Sequence, residues 1–195
     1  MVRAGLTAAS VVRAAAELAD DLGFAEVTAS TVARRLGVKV PSLYSHVGGT
    51  GDLRTRVALL ALAELADRAA LAVAGRSGKD ALVALADSYR DYAGEHPGRY
   101  AATRLRLDPE TAAASAGPRH AALSRAILRG YHLSDPEQTH AVRLIGSVIH
   151  GFIDLESAGG FAHSLPESTE SWHRALDALD VALRAWPSSL RQERS

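Results

Sequence analysis

The chain has 195 residues, of which 47% are hydrophobic and only 5% are aromatic. Alanine is abundant and favours helices, whereas strand-forming residues are sparse, so the composition predicts an all-α protein with a sizeable core. The 22 basic and 22 acidic residues balance, and the absence of cysteine excludes disulfides, thiolate zinc sites and cysteine nucleophiles. No segment is apolar enough to span a membrane and the start lacks a secretory leader, so we expect a soluble, cytoplasmic protein.

The N-terminal part of the chain predicts short helices that end at glycines. The first helix begins after Thr7, a good N-cap, and ends at Gly23. Thr28 or Ser30 caps a second helix, which ends at Gly37. Apolar residues recur at helical spacing in both segments, so each is expected to bury one face.

A third helix is predicted from Val40-Pro41 to about Val47, because proline is accepted in the first turn of a helix. Glycines then interrupt the chain, and Asp52 is the predicted cap of a long fourth helix that reaches about Ala74. The segment 75–78 is rich in glycine and is predicted to be a loop.

The rest of the chain predicts further helices and no strand. They are expected at about 80–95, 99–107, 119–131, 135–157 and 167–186, with helical fragments in the loop 108–118. The run Asp135-Pro136-Glu137-Gln138 predicts an aspartate cap followed by proline at the first helical position. We therefore expect three parts: 1–52 as a helix-turn-helix domain, 53–187 as a helical bundle, and 188–195 as a polar tail.

Two short helices joined by a tight glycine turn, as predicted around Gly37, are the geometry that places a second helix in the DNA major groove. The residues here resemble the N-terminal domain of the tetracycline-repressor (TetR) family over about residues 7–60. The resemblance is carried by Gly23-Phe24, Val27-Thr28, Thr31-Val32-Ala33, Gly37-Val38 and Leu43-Tyr44-Ser45-His46. It implies an all-α fold, with a three-helix DNA-binding domain followed by a ligand-binding and dimerisation bundle.

The same resemblance assigns DNA contacts. Tyr44 is expected to present its hydroxyl to a phosphate, and His46 to lie near the duplex or pack beneath it. Residues that face base edges or phosphates are Lys39, Val40 and Ser42, and Thr28 and Thr31 could add phosphate contacts through hydroxyl or backbone N–H groups. For Tyr44 alone, the alternative is a half-buried core aromatic.

Charge supports this reading only weakly, because the first 54 residues hold six basic and five acidic residues. Arg34, Arg35 and Lys39 nevertheless lie close together inside the predicted helix-turn-helix. The sequence also departs from the family: Val47 stands where phenylalanine is usual, and Thr50-Gly51 replaces a lysine followed by an acidic residue. We therefore expect one phosphate-contacting cation fewer at the start of the fourth helix.

The C-terminal half resembles a subset of TetR-like regulators with a W…H-G…L-E…G-(F/Y) signature. His150-Gly151, Leu155-Glu156 and Gly160-Phe161 match it, whereas Gly146 occupies the tryptophan position. The resemblance implies a helical sensor with a cavity for an unknown small-molecule effector. The predicted lining residues are Tyr89, Tyr92, Tyr100, His150 and Phe152, although aromatics at helical spacing also form ordinary cores.

The last two helices are predicted to form a homodimer interface. Their apolar residues are Ile145, Ile149, Trp172, Leu176, Leu179 and Leu183. The alternative is that these residues complete the core within one chain. Two copies of the helix-turn-helix would match a palindromic DNA site, which favours the dimer.

We predict a ligand-responsive DNA-binding regulator, most simply a repressor, that needs no cofactor. One alternative is a helical adaptor that has lost DNA binding. Another is an all-α enzyme that uses His150, Asp154 and Glu156, but no nucleophile, phosphate-loop or metal motif supports it. A metal held by His150 and Asp154 with His140 or His173 lacks a third ligand at close spacing, so no metal site is predicted.

Overall fold

A computed structural model describes residues 6–187 of the chain, and the predicted polar tail 188–195 lies outside them. Within the described residues there are nine α-helices and no strand, so the all-α prediction is confirmed. They are α1 (Ala8–Leu22), α2 (Ala29–Leu36), α3 (Thr50–Val73), α4 (Gly78–Glu95), α5 (Pro97–Ala102), α6 (Pro109–Ala114), α7 (Gly117–Leu128), α8 (Asp135–Ser157) and α9 (Ser168–Arg184). None of the described helices is long and apolar enough to cross a membrane.

The described chain divides into two compact units. Unit 1 contains residues 6–67 and 91–118, and unit 2 contains residues 68–90 and 119–187. α3 and α4 therefore contribute residues to both units. The predicted division after residue 52 concerns function, and it stays a prediction.

Local capping chemistry explains the ends of α1 and α2. Thr7 and Thr28 each accept a hydrogen bond from the backbone three residues later, as predicted. Gly23 and Gly37 end the two helices at φ 95° and φ 65°, backbone conformations that favour glycine. The core of unit 1 then forms where α1 packs against α2 and α5, with Leu18, among others, fully enclosed.

The predicted third helix is wrong as a regular α-helix. Val40–Ser42 forms a single 3₁₀ turn, and residues 43–46 continue as turns. The N–H groups of Ser42 and Leu43 donate to carbonyls three residues earlier, at 2.9 and 3.0 Å. Pro41 has no N–H to donate, and so short a segment lacks the ladder that would favour the α-helical pattern.

Two helix starts also differ from prediction. α3 begins at Thr50, so Asp52 lies in its first turn and its carboxylate reaches back to the Gly48 N–H at 2.7 Å. α8 begins at Asp135 with Ser134 as N-cap, and neither residue makes the predicted side-chain cap. Instead the Gln138 side-chain amide donates to the Leu133 carbonyl at 3.1 Å.

Candidate DNA interface and effector cavity

Two threonines hold the start of α2. The Thr28 hydroxyl accepts from the Thr31 N–H at 3.1 Å, and the Thr31 hydroxyl accepts from the Thr28 N–H at 3.0 Å. The Thr31 hydroxyl also donates to the Glu26 carbonyl at 2.7 Å. Both hydroxyls are therefore engaged in hydrogen bonds that cap α2. A phosphate contact there would use nearby backbone N–H groups, or a hydroxyl that gives up its present acceptor.

The segment after α2 is fixed by two buried residues and presents polar ones. Leu43 and Val47 are buried in the core of unit 1. Tyr44 is 57% exposed, and Lys39 and Ser42 are also exposed on the same short segment. Val40 and His46, the remaining predicted contacts of this segment, are half-buried. The arrangement places a small polar surface on a buried apolar base, where side chains could reach phosphates or base edges.

The two arginines of the cluster formed with Lys39, Arg34 and Arg35, differ in whether they form ion pairs. The Arg35 guanidinium pairs with Asp21 at 2.5 Å and lies 4.0 Å from Glu17, both on α1. Arg34 is exposed and forms no ion pair within residues 6–187. Sequence reasoning placed these residues together, because neighbouring side chains of a helix point in different directions and only the packing of α2 shows which of them meets α1. Arg34 therefore joins Lys39 as a cation available to phosphate.

The start of α3 is held by internal contacts. The Thr50 hydroxyl accepts from the Ala29 N–H at 3.1 Å, so the residue at the position of the family's usual lysine helps to cap α2. Asp52 pairs with Arg56 at 2.9 Å, and this guanidinium together with the Gly48 N–H holds the pKa of the Asp52 carboxyl below its usual value. Arg54 donates to the Val27 carbonyl at 2.9 Å. The arginines nearest the missing lysine are thus engaged in structure.

Unit 2 contains a cavity of about 170 Å³ between α4, α7 and α8. Its lining consists of Leu85, Tyr89, His120, Ala121, Ser124, Val142, Ile145, Gly146, Ile149 and His150. Two of the five predicted ligand residues, Tyr89 and His150, are therefore brought together. The sequence did not indicate His120 and Ser124, because nothing in the α7 sequence distinguishes the face that turns toward the cavity.

The other three predicted ligand residues lie elsewhere. Tyr92 is buried in unit 1, where its hydroxyl donates to Glu64 at 2.9 Å, and Tyr100 is also buried there. Phe152 packs against Phe161 and Trp172, with ring centroids 4.9 and 5.0 Å apart. None of these three residues lines the cavity.

The six predicted dimer residues lie in the core of unit 2. Each is at most 4% exposed within a single chain: Ile145, Ile149, Trp172, Leu176, Leu179 and Leu183. Polar contacts fix this core, including a hydrogen bond from the Trp172 indole N–H to Asp87 at 2.7 Å. Side chains already enclosed by their own chain have almost no surface left to offer a partner.

No group of three or more histidine, aspartate or glutamate side chains within residues 6–187 is arranged to hold a metal ion. Burial raises the pKa of the phenol of Tyr89, one of the residues that line the cavity. The Tyr89 hydroxyl stays neutral and is hydrogen-bonded to Nδ1 of His120. The cavity therefore offers the neutral Tyr89 hydroxyl in a mainly apolar setting.

Within unit 1, the capped helix α2 is followed by the turn at Gly37 and by the segment 39–46, here called the reading segment; this is the arrangement of a helix-turn-helix regulator. The family model "Bacterial regulatory proteins, tetR family" matches residues 11–56, and "Tetracyclin repressor-like, C-terminal domain" matches residues 82–179. The chain is 30% identical over 188 residues to YobS, an uncharacterized HTH-type transcriptional regulator of Bacillus subtilis, covering 96% of this chain and 94% of YobS. It is 38% identical over 160 residues to an uncharacterized HTH-type transcriptional regulator of Mycobacterium tuberculosis, covering 80% and 72% of the two chains.

The fold is also found in a TetR variant from Acinetobacter baumannii AYE that was crystallised in complex with minocycline. The TM-score is 0.73 at 21% identity, with 95% of this chain and 100% of that chain covered. The chain therefore belongs to the TetR family of DNA-binding transcriptional regulators. Members of this family are transcription factors and not enzymes.

Proposed function

We propose that this chain is a ligand-responsive repressor that binds a palindromic operator as a homodimer in the cytoplasm. The observation that carries the proposal is the exposed polar surface of Lys39, Ser42 and Tyr44, built on the buried anchors Leu43 and Val47. Lys39 and Tyr44 would contact phosphates, and Val40 and Ser42 would face base edges. His46 would support the segment from beneath, because it is half-buried.

The test is operator binding measured against salt concentration with purified protein. Lys39→Ala should weaken binding at every sequence and reduce the salt slope by about 1, since one phosphate contact is lost. Tyr44→Phe keeps the ring and should weaken binding about threefold to tenfold through the lost hydroxyl. The matched control is Lys79→Ala, because Lys79 pairs with Asp177 at 2.7 Å in unit 2. If neither Lys39→Ala nor Tyr44→Phe weakens operator binding, the proposed contacts with DNA are refuted.

The proposed dimer surface is the exposed side of α8 and α9, which pack against each other in unit 2. Leu155 on α8 is 56% exposed and Val181 on α9 is 63% exposed. Leu144, Val148 and Gly151 share the face of Leu155 by helical spacing, and each is exposed or half-buried. Apolar and small residues on the open face of two adjacent helices suit an isologous contact.

Val181→Glu should convert the dimer to a monomer in light scattering and abolish tight operator binding, because a charge would be buried against a partner. Leu71→Glu is the control, since Leu71 is 80% exposed but lies on α3. A Val181→Glu protein that remains dimeric would refute this surface.

Ligand response follows if a molecule in the unit 2 cavity binds better to the conformation that does not fit the operator. A reporter promoter carrying the operator should be silent with the protein and active after effector is added. Activation by the protein alone would refute the repressor role.

A further inference from the structure

We infer that the unit 2 cavity selects a small, uncharged monocyclic aromatic alcohol of the phenol class, with Gly146 providing the space for its ring and Tyr89 the hydrogen bond to its hydroxyl. This inference rests on the proposed effector function and names the chemistry of the ligand. It is carried by the size, the charge and the polar geometry of the cavity.

The volume of the cavity suits a ligand of about one ring. The cavity volume is about 170 Å³. Sites for drug-sized ligands measure about 300–1,000 Å³, whereas an apolar cavity of about 150 Å³ holds benzene. A Cβ built on Gly146 would meet no atom within 4 Å, so this glycine borders open space and not a packed helix. A side chain at position 146 would take the volume that the ring needs.

The lining carries no permanently charged side chain, which favours an uncharged ligand. None of the ten lining residues is an aspartate, glutamate, lysine or arginine, and six of them are aliphatic residues or glycine. An ammonium group moved into such a site would lose its hydration without gaining an ion pair, and a carboxylate would find no lysine or arginine to pair with. The two lining histidines, His120 and His150, are the only titratable partners besides Tyr89.

The polar side of the cavity is organised around Tyr89. Its ring meets the rings of His120 and His150 edge to face, each at a centroid distance of 5.7 Å. Its hydroxyl is already bonded to His120. A phenolic hydroxyl has one proton and two lone pairs, so one bond leaves capacity for a second. A ligand hydroxyl can donate or accept, and it therefore suits Tyr89 whichever atom of the Tyr89–His120 bond carries the proton.

The test titrates the full-length protein with phenol and with toluene by calorimetry and ligand-observed NMR. Phenol should bind saturably, with one molecule per chain, and more tightly than toluene. Gly146→Leu and Gly146→Trp should weaken phenol binding at least about tenfold by filling the space, while Gly146→Ala should have a smaller effect. Tyr89→Phe should remove most of the preference for phenol over toluene, about threefold to tenfold.

The matched control for added bulk is Ala122→Trp, because Ala122 is exposed on α7 and lies beside the lining residue Ala121 without lining the cavity. Circular dichroism checks folding of every variant, and Gly146→Leu with Tyr89→Phe decides the question if the tryptophan variant does not fold. Phenol binding that is unchanged in Gly146→Leu, or absent from the folded wild-type protein, overturns the inference. So does an unchanged preference in Tyr89→Phe.

Operator binding by the same preparations separates this inference from the proposed function. Intact operator binding without phenol binding overturns the ligand class alone. Saturable phenol binding that leaves operator affinity unchanged overturns the effector role and supports the ligand class.

Discussion

Replacement of Gly98 by alanine should destabilise unit 1 more than any other glycine-to-alanine change in the described helices. Gly98 lies in α5 and is buried where α5 meets α1. A Cβ at this position would lie 1.9 Å from the Ala19 carbonyl oxygen and 2.6 Å from the Asp20 nitrogen. Ordinary carbon–oxygen contacts are about 3.3 Å, so the α5 backbone would have to retreat by more than about 1 Å.

That retreat would also disturb polar contacts. The Asp20 carboxylate accepts from the Arg99 N–H at 2.9 Å, and it lies 3.0 Å from Nε of Arg99 and 3.1 Å from Nδ1 of His96. Overpacking costs about 1–3 kcal/mol, and a strained hydrogen bond to a charged group adds about 1.5–3 kcal/mol. We therefore expect Gly98→Ala to lose about 3–5 kcal/mol of the free energy of unfolding, which lowers Tm by about 6–20 °C in a chain of this size.

Urea unfolding followed by circular dichroism, at one fixed protein concentration, measures this loss. The matched control is Gly94→Ala on α4, because Gly94 is exposed and its added Cβ would meet no atom within 4 Å. That variant should gain about 0.5–1 kcal/mol from helix propensity. A Gly98→Ala protein within about 1 kcal/mol of wild type would refute the close-approach argument.

Arg34→Ala should weaken operator binding and lower its salt slope by about 1, whereas Arg35→Ala should mainly lower thermal stability, because Arg35 is already paired with Asp21. Equal effects of the two variants on the salt slope would contradict this division. A pH dependence is expected at Glu156: hydrogen bonds from Arg90, at 2.6 and 2.8 Å, hold the pKa of its carboxyl below the usual 4.5. Its stabilisation is complete above the unfolded pKa and is lost as pH falls through the folded pKa, so the urea-unfolding difference between wild type and Glu156→Gln should shrink between about pH 5 and pH 3.

Features that depend on a few neighbouring residues could be predicted from the sequence. Thr7 and Thr28 cap their helices, and Gly23 and Gly37 end them, because each effect involves only one turn of backbone. The segment from Val40 to Val47 was predicted as an α-helix. It does not form one, because its few N–H groups are divided between carbonyls three residues earlier, as in a 3₁₀ turn, and four residues earlier, as in an α-helix.

The residues that line the cavity could be predicted from the sequence only in part. Tyr89 and His150 could be named from their sequence context, but Tyr92 belongs to unit 1 and Phe152 packs on Trp172. Which aromatic side chain meets open space depends on how three helices pack, and periodicity within one helix carries no information about that. His120 enters the site for the same reason.

Thr50 shows how a departure from a family pattern can be a replacement and not only a loss. Its hydroxyl accepts the hydrogen bond of the Ala29 N–H, one of the amides that α2 cannot satisfy internally. A lysine ammonium has only donors and could not accept this bond, so a cation at position 50 would leave that amide to other partners. The chain thus gains a fixed start of α2 where the family usually has a phosphate-contacting charge. We therefore expect the positive charge for DNA to come from the other end of the same helix and the turn after it, where Arg34 and Lys39 are exposed.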